Sequence, residues 1–215
     1  MTKVDAIVPC YNEAPRIGAV LSVLSISPHI NSIVVVDDGS TDNSLDIAKK
    51  FPKVIATRLN QNIGKGGAIR EGLKRVRTGF VLLLDADLSE ITDYHIRQLI
   101  APVVDGKFDV CVGVLKNHHP ILHRLKRDFL PLLSGQRVLK TKILKEVLES
   151  DNSRGWGIEP SLNYFANING LKITKIDLEG VKSPLNAKKR GVVAYVKRIF
   201  SYVQIYFAIL IVHHS

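Results

Sequence analysis

The sequence predicts an α/β fold in which helices cover both faces of a mostly parallel β-sheet. Two features indicate this fold: apolar runs alternate with helical stretches along the chain, and two of the runs end in paired acids. These runs are Val34-Val35-Val36-Asp37-Asp38 and Val81-Leu82-Leu83-Leu84-Asp85-Ala86-Asp87. Continuous apolar runs are typical of strands that are buried on both faces. The acids therefore fall at the carboxyl ends of two strands, the edge at which open α/β sheets bind ligands.

The individual elements follow from the apolar runs and from the helix signals between them. Strands are predicted at residues 4–10, 32–37, 54–58, 80–85 and 109–114. Helices are predicted to start at Asn12, at Thr41 or Asp42, at the opening of 63–77 and at Thr92. Asn, Thr and Asp are good N-caps, and Pro15 suits a first turn, where a missing N–H costs nothing. The alternation predicts parallel strands joined by right-handed crossovers.

Length, charge and cysteine content narrow the class of protein. The chain has 215 residues, 46% of them hydrophobic, so it is long enough to bury a full core. The 30 Lys and Arg against 20 Asp and Glu give a net charge of +10, which indicates an anionic partner: nucleotide phosphates, anionic lipid or nucleic acid. Cys10 and Cys111 are far apart, so neither a disulfide framework nor a zinc site is indicated. The first residues lead into a strand without an apolar leader, so we expect a cytoplasmic protein.

The acids Asp85 and Asp87 form the first candidate site. If the strand continues through them, alternation places both side chains on one side, about 7 Å apart. That spacing suits one divalent ion, because Mg²⁺ and Mn²⁺ prefer carboxylate, phosphate and water oxygens. The alternative is that both pairs of acids only end strands in turns. Turn acids of this kind account for either pair alone, but they account less well for the presence of both pairs in one chain.

A glycine-rich turn, Asn62-Ile63-Gly64-Lys65-Gly66-Gly67, opens the third predicted helix. Free N–H groups at a helix start, with Lys65 and Arg70 beside them, predict an anion site that suits a diphosphate. The turn lacks the spacing of the dinucleotide and P-loop fingerprints. A turn that only lets helix and strand pack closely is the alternative interpretation.

The C-terminal stretch has a pattern of its own. Residues 199–212 are almost wholly apolar, and the basic residues Lys188, Lys189, Arg190, Lys197 and Arg198 precede them. A helix of this length reaches about 21 Å and does not span a bilayer core, which needs about 20 residues. An amphipathic or apolar helix in contact with a membrane surface fits the pattern. Packing on the domain, or on a second subunit of a homodimer, fits it equally.

Four ordered motifs connect these features. They are Ile7-Val8-Pro9-Cys10-Tyr11-Asn12-Glu13, Val36-Asp37-Asp38-Gly39-Ser40-Thr41-Asp42, Asn62-Ile63-Gly64-Lys65-Gly66 and Leu84-Asp85-Ala86-Asp87. Together they resemble the motifs of family 2 glycosyltransferases of the GT-A fold. Two later segments are similar to the branch that contains dolichyl- and polyprenyl-phosphate sugar synthases: Leu133-Ser134-Gly135-Gln136-Arg137 and Gly155-Trp156-Gly157-Ile158-Glu159.

The resemblance implies a Rossmann-like GT-A sheet and an enzyme that transfers a hexose from a UDP- or GDP-sugar. The nucleotide-binding residues it implies are Pro9, Tyr11, Glu13, Asp38, Gly64, Lys65 and Ala86. Asp38 would accept a hydrogen bond from the base, and Lys65 would lie near the base and phosphates. Asp87, supported by Asp85, would hold the Mg²⁺ or Mn²⁺ that bridges the diphosphate.

One departure from the family pattern concerns the catalytic base. Many inverting members carry a late acidic pair, whereas this chain has Glu159 followed by Pro160. Glu159 is therefore either the base or an organiser of the acceptor pocket. A lipid phosphate is already anionic and requires no strong base. Its phosphate would suit guanidinium groups, for which the chain offers Arg124, Arg127 and, in the most family-like position, Arg137.

A second departure concerns the third metal ligand. Ser89 stands where the dolichyl-phosphate branch commonly has Gln, and Lys182 stands where some retaining relatives have His. Metal coordination in this chain is therefore either looser than in those relatives or completed by water.

Two rival classes share part of the pattern. A haloacid-dehalogenase-type phosphatase also has Asp-x-Asp after an apolar run, but on its first strand, so the motif order here disfavours it. A noncatalytic sugar-nucleotide-binding module is disfavoured by the intact Asp38, Asp85 and Asp87. We therefore predict a glycosyltransferase domain at 1–181, with 1–115 for the nucleotide sugar and 116–181 for the acceptor, then a basic segment and apolar helix at 182–215.

The expected acceptor is a polyprenyl phosphate at the inner face of the membrane. A small phosphorylated molecule, with a retaining outcome, is the alternative. We expect no nucleic-acid partner.

Overall fold

The structure, a computed structural model, describes residues 2–115, 134–149 and 157–184. The strands within those ranges are β1 Val4–Cys10, β2 Ile30–Asp37, β3 Val54–Arg58, β4 Phe80–Leu83, β5 Val110–Leu115, β6 Arg137–Lys140 and β7 Ile173–Leu178. The helices are α1 Ile17–Ile26, α2 Ser44–Ala48, α3 Gly64–Leu73, α4 Asp93–Val104, α5 Thr141–Glu149 and α6 Ile158–Ile168. In the same part of the chain, no helix is both long and apolar enough to cross a bilayer.

The strands form one seven-stranded sheet in the order β3-β2-β1-β4-β6-β5-β7. The pairs β1–β2, β2–β3, β1–β4 and β5–β7 are parallel. Only β6, within the described residues, runs antiparallel to its neighbours, β4 and β5. The predicted α/β class with a mostly parallel sheet is therefore confirmed.

Strand β6 brings a later part of the chain to the edge where the acids lie. Leu83, the last residue of β4, pairs with Arg137, the first residue of β6. Because the two strands are antiparallel, the residues just before Arg137 lie beside the residues just after Leu83. The sequence prediction included neither β6 nor β7. The 134–137 segment was therefore not predicted to join this edge through a strand.

Two hydrophobic clusters cover the two faces of the sheet. One cluster contains Val8, Leu82, Leu21 and Leu99, so α1 and α4 pack there. The other contains Ile7, Val81, Ile69 and Leu144, so α3 and α5 pack there. All eight residues have no exposed surface. Adjacent residues of β1 and β4 thus alternate between two fully buried faces, as continuous apolar strands require.

Several predicted boundaries differ from the structure. Helix α1 begins at Ile17, so the prediction that Asn12 caps it is wrong. Asn12 instead has a φ of 55°, and its Oδ1 accepts a hydrogen bond from the Thr41 N–H at 2.9 Å, which joins two loops. The second helix begins at Ser44, two residues after Asp42. Helix α4 begins at Asp93, directly after Thr92, as predicted.

Candidate active site

The D-x-D acids lie just beyond β4, at the carboxyl edge of the sheet. The predicted strand 80–85 ends at Leu83, and Asp87 lies in a turn. The strand alternation used to place Asp85 and Asp87 on one side therefore does not extend to them. Their positions are instead determined by different hydrogen-bond donors, which come from three other segments of the chain.

Lys65 connects Asp85 to Glu159. Its Nζ lies 2.5 Å from Asp85 Oδ1 and 2.7 Å from Glu159 Oε1. Lys65 is in the first turn of α3, and Glu159 is in the first turn of α6. Burial favours the neutral amine, but the charges and hydrogen bonds of both carboxylates outweigh burial and raise the pKa of Lys65. The ammonium therefore stays charged and ties both acids to one point.

Glu159 is only 5% exposed. Burial acts to raise its pKa, but the charge and hydrogen bond of Lys65, with the charge of Arg137, lower the pKa to about 2. A carboxylate with such a pKa is a poor proton acceptor at neutral pH. Of the two roles that the sequence leaves open for Glu159, this environment favours the organising role over that of the base.

Gln136 holds the other oxygen of Asp85. Its Nε2 donates to Asp85 Oδ2 at 2.8 Å, and its Oε1 accepts from the Ser134 hydroxyl at 2.6 Å. An ionised carboxylate only accepts, so the amide nitrogen must face Asp85. Gln136 is 2% exposed. Sequence reasoning assigned it no role, because its contact with Asp85 depends on the placement of β6.

Gly135 leaves the space in which the ion pair lies. A Cβ built on Gly135 would lie 2.6 Å from both carboxylate oxygens of Asp85, and it would also overlap Lys65 Nζ. Real Cβ atoms are not found this close to other heavy atoms. The glycine is therefore required at this position by the Lys65–Asp85 pair.

Arg137 follows Gln136 in the chain and is buried. It is 1% exposed, its Nε donates to the Ser134 carbonyl at 2.9 Å, and its Nη1 donates to Asn163 Oδ1 at 2.8 Å. Its predicted contact with an acceptor phosphate stays a prediction. Arg124, Arg127 and Trp156, together with the apolar stretch 199–212, lie outside the described residues.

Asp87 receives a hydrogen bond from the Ser183 hydroxyl at 3.1 Å. The segment that carries Ser183 is attached to the loop after Asp87 by an antiparallel bridge between Ser89 and Lys182. The two backbone hydrogen bonds of that bridge measure 2.9 and 3.1 Å. The bridge thus joins the two positions at which the chain departs from the family's metal-ligand pattern.

The acids after β2 anchor loops. Asp37 is fully buried and accepts hydrogen bonds from Arg58 Nε at 2.7 Å and from the Ser40 N–H at 2.8 Å. Asp38 accepts from the Ile63 N–H at 2.8 Å and from the Gly64 N–H at 2.9 Å. Asp38 therefore already supplies an anion to the first N–H groups of the glycine-rich turn. The carboxylate keeps further lone pairs, and its predicted contact with a base stays a prediction.

The other predicted nucleotide-binding residues lie at the same edge. Pro9 is near the end of β1, and the Tyr11 side chain beyond it is 40% exposed. The Glu13 carboxylate accepts from Arg16 Nε at 2.6 Å, and the Glu13 N–H donates to Ser44 Oγ at 2.8 Å. The loop after β1 is thus attached to the first residue of α2, and the nucleoside contacts themselves stay predictions.

The side-chain oxygen atoms at this edge could bind a divalent ion through Asp87. Carboxylate and hydroxyl oxygens are hard donors of the kind that Mg²⁺ and Mn²⁺ prefer. No group of three or more His, Cys, Asp or Glu side chains suited to a metal occurs among residues 2–115, 134–149 and 157–184. The described protein ligands are thus too few to enclose an ion, so substrate phosphates and water would supply the remaining positions.

Comparison with known proteins identifies the family. The model named Glycosyl transferase family 2 matches residues 5–151, which is more than half of the 215-residue chain. The chain therefore belongs to glycosyltransferase family 2.

The chain is similar to several curated proteins. It is 36% identical over 145 residues to the uncharacterized glycosyltransferase YaiP of Escherichia coli, an alignment that covers 64% of this chain and 36% of YaiP. It is 33% identical over 125 residues to the undecaprenyl-phosphate 4-deoxy-4-formamido-L-arabinose transferase of Yersinia enterocolitica, covering 54% of this chain and 37% of that protein. The chain thus spans little more than a third of the length of these two relatives.

Solved structures support the fold. The glucosyl-3-phosphoglycerate synthase of Mycobacterium tuberculosis, solved with Mn²⁺, UDP and glucosyl-3-phosphoglycerate, matches with a TM-score of 0.74 at 20% identity, covering 95% of this chain and 80% of that chain. The same enzyme solved with Mg²⁺ and UDP matches with a TM-score of 0.73 at 19% identity, covering 95% and 79%. The GT-A fold class is therefore confirmed.

Proposed function

We propose that this protein uses a divalent metal to transfer a hexose from a UDP- or GDP-sugar to a phosphate-bearing acceptor. The observation that carries the proposal is the pair Asp85 and Asp87, held at the ligand-binding edge of a family 2 sheet by Lys65 and Ser183. Solved structures of the same fold contain Mn²⁺ or Mg²⁺ with UDP, which supports the choice of metal and donor.

In this proposal, the carboxyl ends of β1, β2 and β4 and the start of α3 bind the nucleoside through Pro9, Tyr11, Glu13, Asp38, Gly64 and Ala86. Asp87 holds the metal, and Asp85 keeps the turn in place through its bonds to Lys65 and Gln136. An ammonium has three donors, so Lys65 could donate its third N–H to a phosphate oxygen while it keeps its bonds to Asp85 and Glu159. The metal, when bound, stabilises the negative charge that develops on the leaving diphosphate.

The state of Glu159 supports an acceptor that is already anionic. A carboxylate tied to Lys65, with its pKa lowered to about 2, does not remove a proton from a hydroxyl efficiently at neutral pH. An ionised phosphate oxygen needs no such base. We therefore propose a polyprenyl phosphate as the acceptor, which the name of the Yersinia relative supports, and we propose that the enzyme acts at the inner face of the membrane.

A transfer assay tests this proposal. Radiolabelled UDP-glucose and GDP-mannose would be offered with undecaprenyl phosphate or with 3-phosphoglycerate, in Mn²⁺ or in EDTA. We expect label to enter the lipid only with metal. Asp87→Ala should abolish transfer, whereas Asp46→Ala, at an exposed carboxylate on α2, should leave it unchanged. Metal-dependent labelling of 3-phosphoglycerate alone would assign a soluble acceptor, and transfer that is insensitive to EDTA and to Asp87→Ala would refute the metal role.

A further inference from the structure

We propose that Ser183 is a positioning residue that orients Asp87 for metal–diphosphate binding. This inference rests on the proposed function, because it concerns the same metal. The Ser183 hydroxyl donates to Asp87 Oδ1 at 3.1 Å, across 96 positions of sequence. A donor on one oxygen fixes the rotation of a carboxylate, and with it the direction in which the carboxylate meets a cation.

The backbone on the Ser183 side of this contact is fixed. Lys182 forms a two-bond bridge with Ser89, through the Ser89 N–H at 2.9 Å and the Lys182 N–H at 3.1 Å. Val181, just before the bridge, is 3% exposed and belongs to the hydrophobic cluster under α1 and α4. Ser183 thus follows a buried residue and a paired residue, so its hydroxyl reaches Asp87 from a defined position.

The backbone on the Asp87 side is fixed as well. Its neighbours Ala86 and Leu88 are 3% and 0% exposed, and both belong to the same cluster as Val181. The two segments therefore share one core as well as one bridge. A hydrogen bond between anchored segments costs little additional conformational entropy, so it can orient the carboxylate before any ligand arrives.

The hydrogen-bond donors to Asp85 and Asp87 differ in charge, and the charge of the donor affects how strongly the carboxylate attracts a cation. One of the hydrogen bonds that Asp85 receives comes from the Lys65 ammonium, whose charge opposes that of the carboxylate. Ser183 contributes a neutral hydroxyl, which orients Asp87 without cancelling its charge. A hydroxyl partner therefore preserves the attraction of Asp87 for a cation, which an ammonium in the same place would weaken.

Binding measurements on the full chain test this inference without any turnover. The Mn²⁺ affinity would be measured by electron paramagnetic resonance with UDP or GDP present, and nucleotide affinity without metal by calorimetry. Removal of groups that orient metal ligands typically weakens metal binding about 10- to 100-fold, and we expect a loss of this size for Ser183→Ala. Ser183→Thr keeps the hydroxyl and should restore most of the affinity. Ser22→Ala, the same deletion at an exposed serine on α1, should leave it unchanged.

The outcomes are distinguishable. Mn²⁺ affinity in Ser183→Ala equal to that of the wild type would overturn this inference and leave the proposed function standing. Wild-type protein that binds neither nucleotide more tightly with Mn²⁺ would overturn the metal-dependent function and this inference together. A melting temperature of Ser183→Ala near that of the wild type, with weaker Mn²⁺ binding and unchanged metal-free nucleotide binding, would support the positioning role.

Discussion

The Cα of Gly135 faces the carboxylate of Asp85 so closely that a Cβ on Gly135 would lie 2.6 Å from both Asp85 oxygens. The atoms in the way are the ends of two side chains, those of Asp85 and Lys65, and not backbone. A methyl group at this position therefore displaces the ion pair before it disturbs the fold.

We expect Gly135→Ala to reduce transfer strongly while changing the melting temperature little. Gly79→Ala is the matched control, because a Cβ on Gly79 would meet no atom within 4 Å. Initial rates and thermal melts of both variants check the prediction. A fully active Gly135→Ala enzyme would mean that the Lys65–Asp85 pair is not needed for transfer.

Glu159→Gln tests the organising role of Glu159. The neutral amide leaves Lys65 with one carboxylate instead of two, so the variant should be less stable than the wild type at neutral pH. A folded-state pKa of about 2, below the ordinary 4.5, gives stability that is present above pH 4.5 and is lost as the pH falls toward 2. The stability gap between the two proteins should therefore narrow in acid.

Chemical denaturation across this pH range measures that gap. The pH–rate profile supplies a second measurement. A general base with a pKa near neutrality would produce a rising limb between pH 5 and 8 that Glu159→Gln removes. We expect no limb in that range to depend on Glu159.

Asp38→Asn should lower both stability and nucleotide affinity. Asp38 Oδ1 accepts the Ile63 N–H and Oδ2 accepts the Gly64 N–H, and Asn replaces one of these two oxygens with an NH₂ group that cannot accept. An unsatisfied buried group costs about 1–3 kcal/mol, so unfolding free energy should fall by about that much. If nucleotide affinity, measured by calorimetry, is unchanged in the folded variant, Asp38 acts only as an anchor for α3.

Asp5→Asn should affect stability alone. Asp5 is fully buried at the edge of the sheet opposite the active site, and its carboxylate accepts hydrogen bonds from Asn31, Ser32, Arg77 and Thr78. Burial raises its pKa, but these hydrogen bonds together lower it below the ordinary 3.8. The stability that Asp5 contributes is therefore present above pH 3.8 and is lost as the pH falls below it.

Denaturation at neutral pH should show a loss of about 1–3 kcal/mol for Asp5→Asn. Transfer rates measured well below the melting temperature should equal those of the wild type. A slower but fully folded variant would indicate coupling between the two edges of the sheet.

Local sequence predicts much of the fold of residues 1–115. Strands β1 and β3 have the predicted limits, Val4–Cys10 and Val54–Arg58, because each is a short apolar run between turn residues. Strand β6 has only four residues, of which Arg137 and Lys140 are charged, so no strand pattern is visible there. Its place between β4 and β5 is a property of the assembled sheet.

The candidate site was predictable only where it depends on residues that are close together in the sequence. The acids Asp85 and Asp87 follow an apolar run and can be found locally. The contact between Lys65 and Glu159 spans 94 positions, and that between Gln136 and Asp85 spans 51. Such pairs depend on how β6 and α6 dock, and no local spacing encodes them. The helix start at Asn12 was wrong because the side chain bonds another loop instead of its own helix.

The position of β6 also determines the order in which the protein can assemble on the ribosome. Strand β5 bonds to β6 and β7, and both follow it in the chain. When residues 1–115 have been synthesised, β4 is paired only with β1, and its other edge, like both edges of β5, awaits residues that have not yet emerged. Unpaired strand edges promote association with other chains. A nascent chain that stalls before Lys140 therefore exposes unpaired strand edges, and the four-residue strand β6 covers the free edge of β4 and one edge of β5.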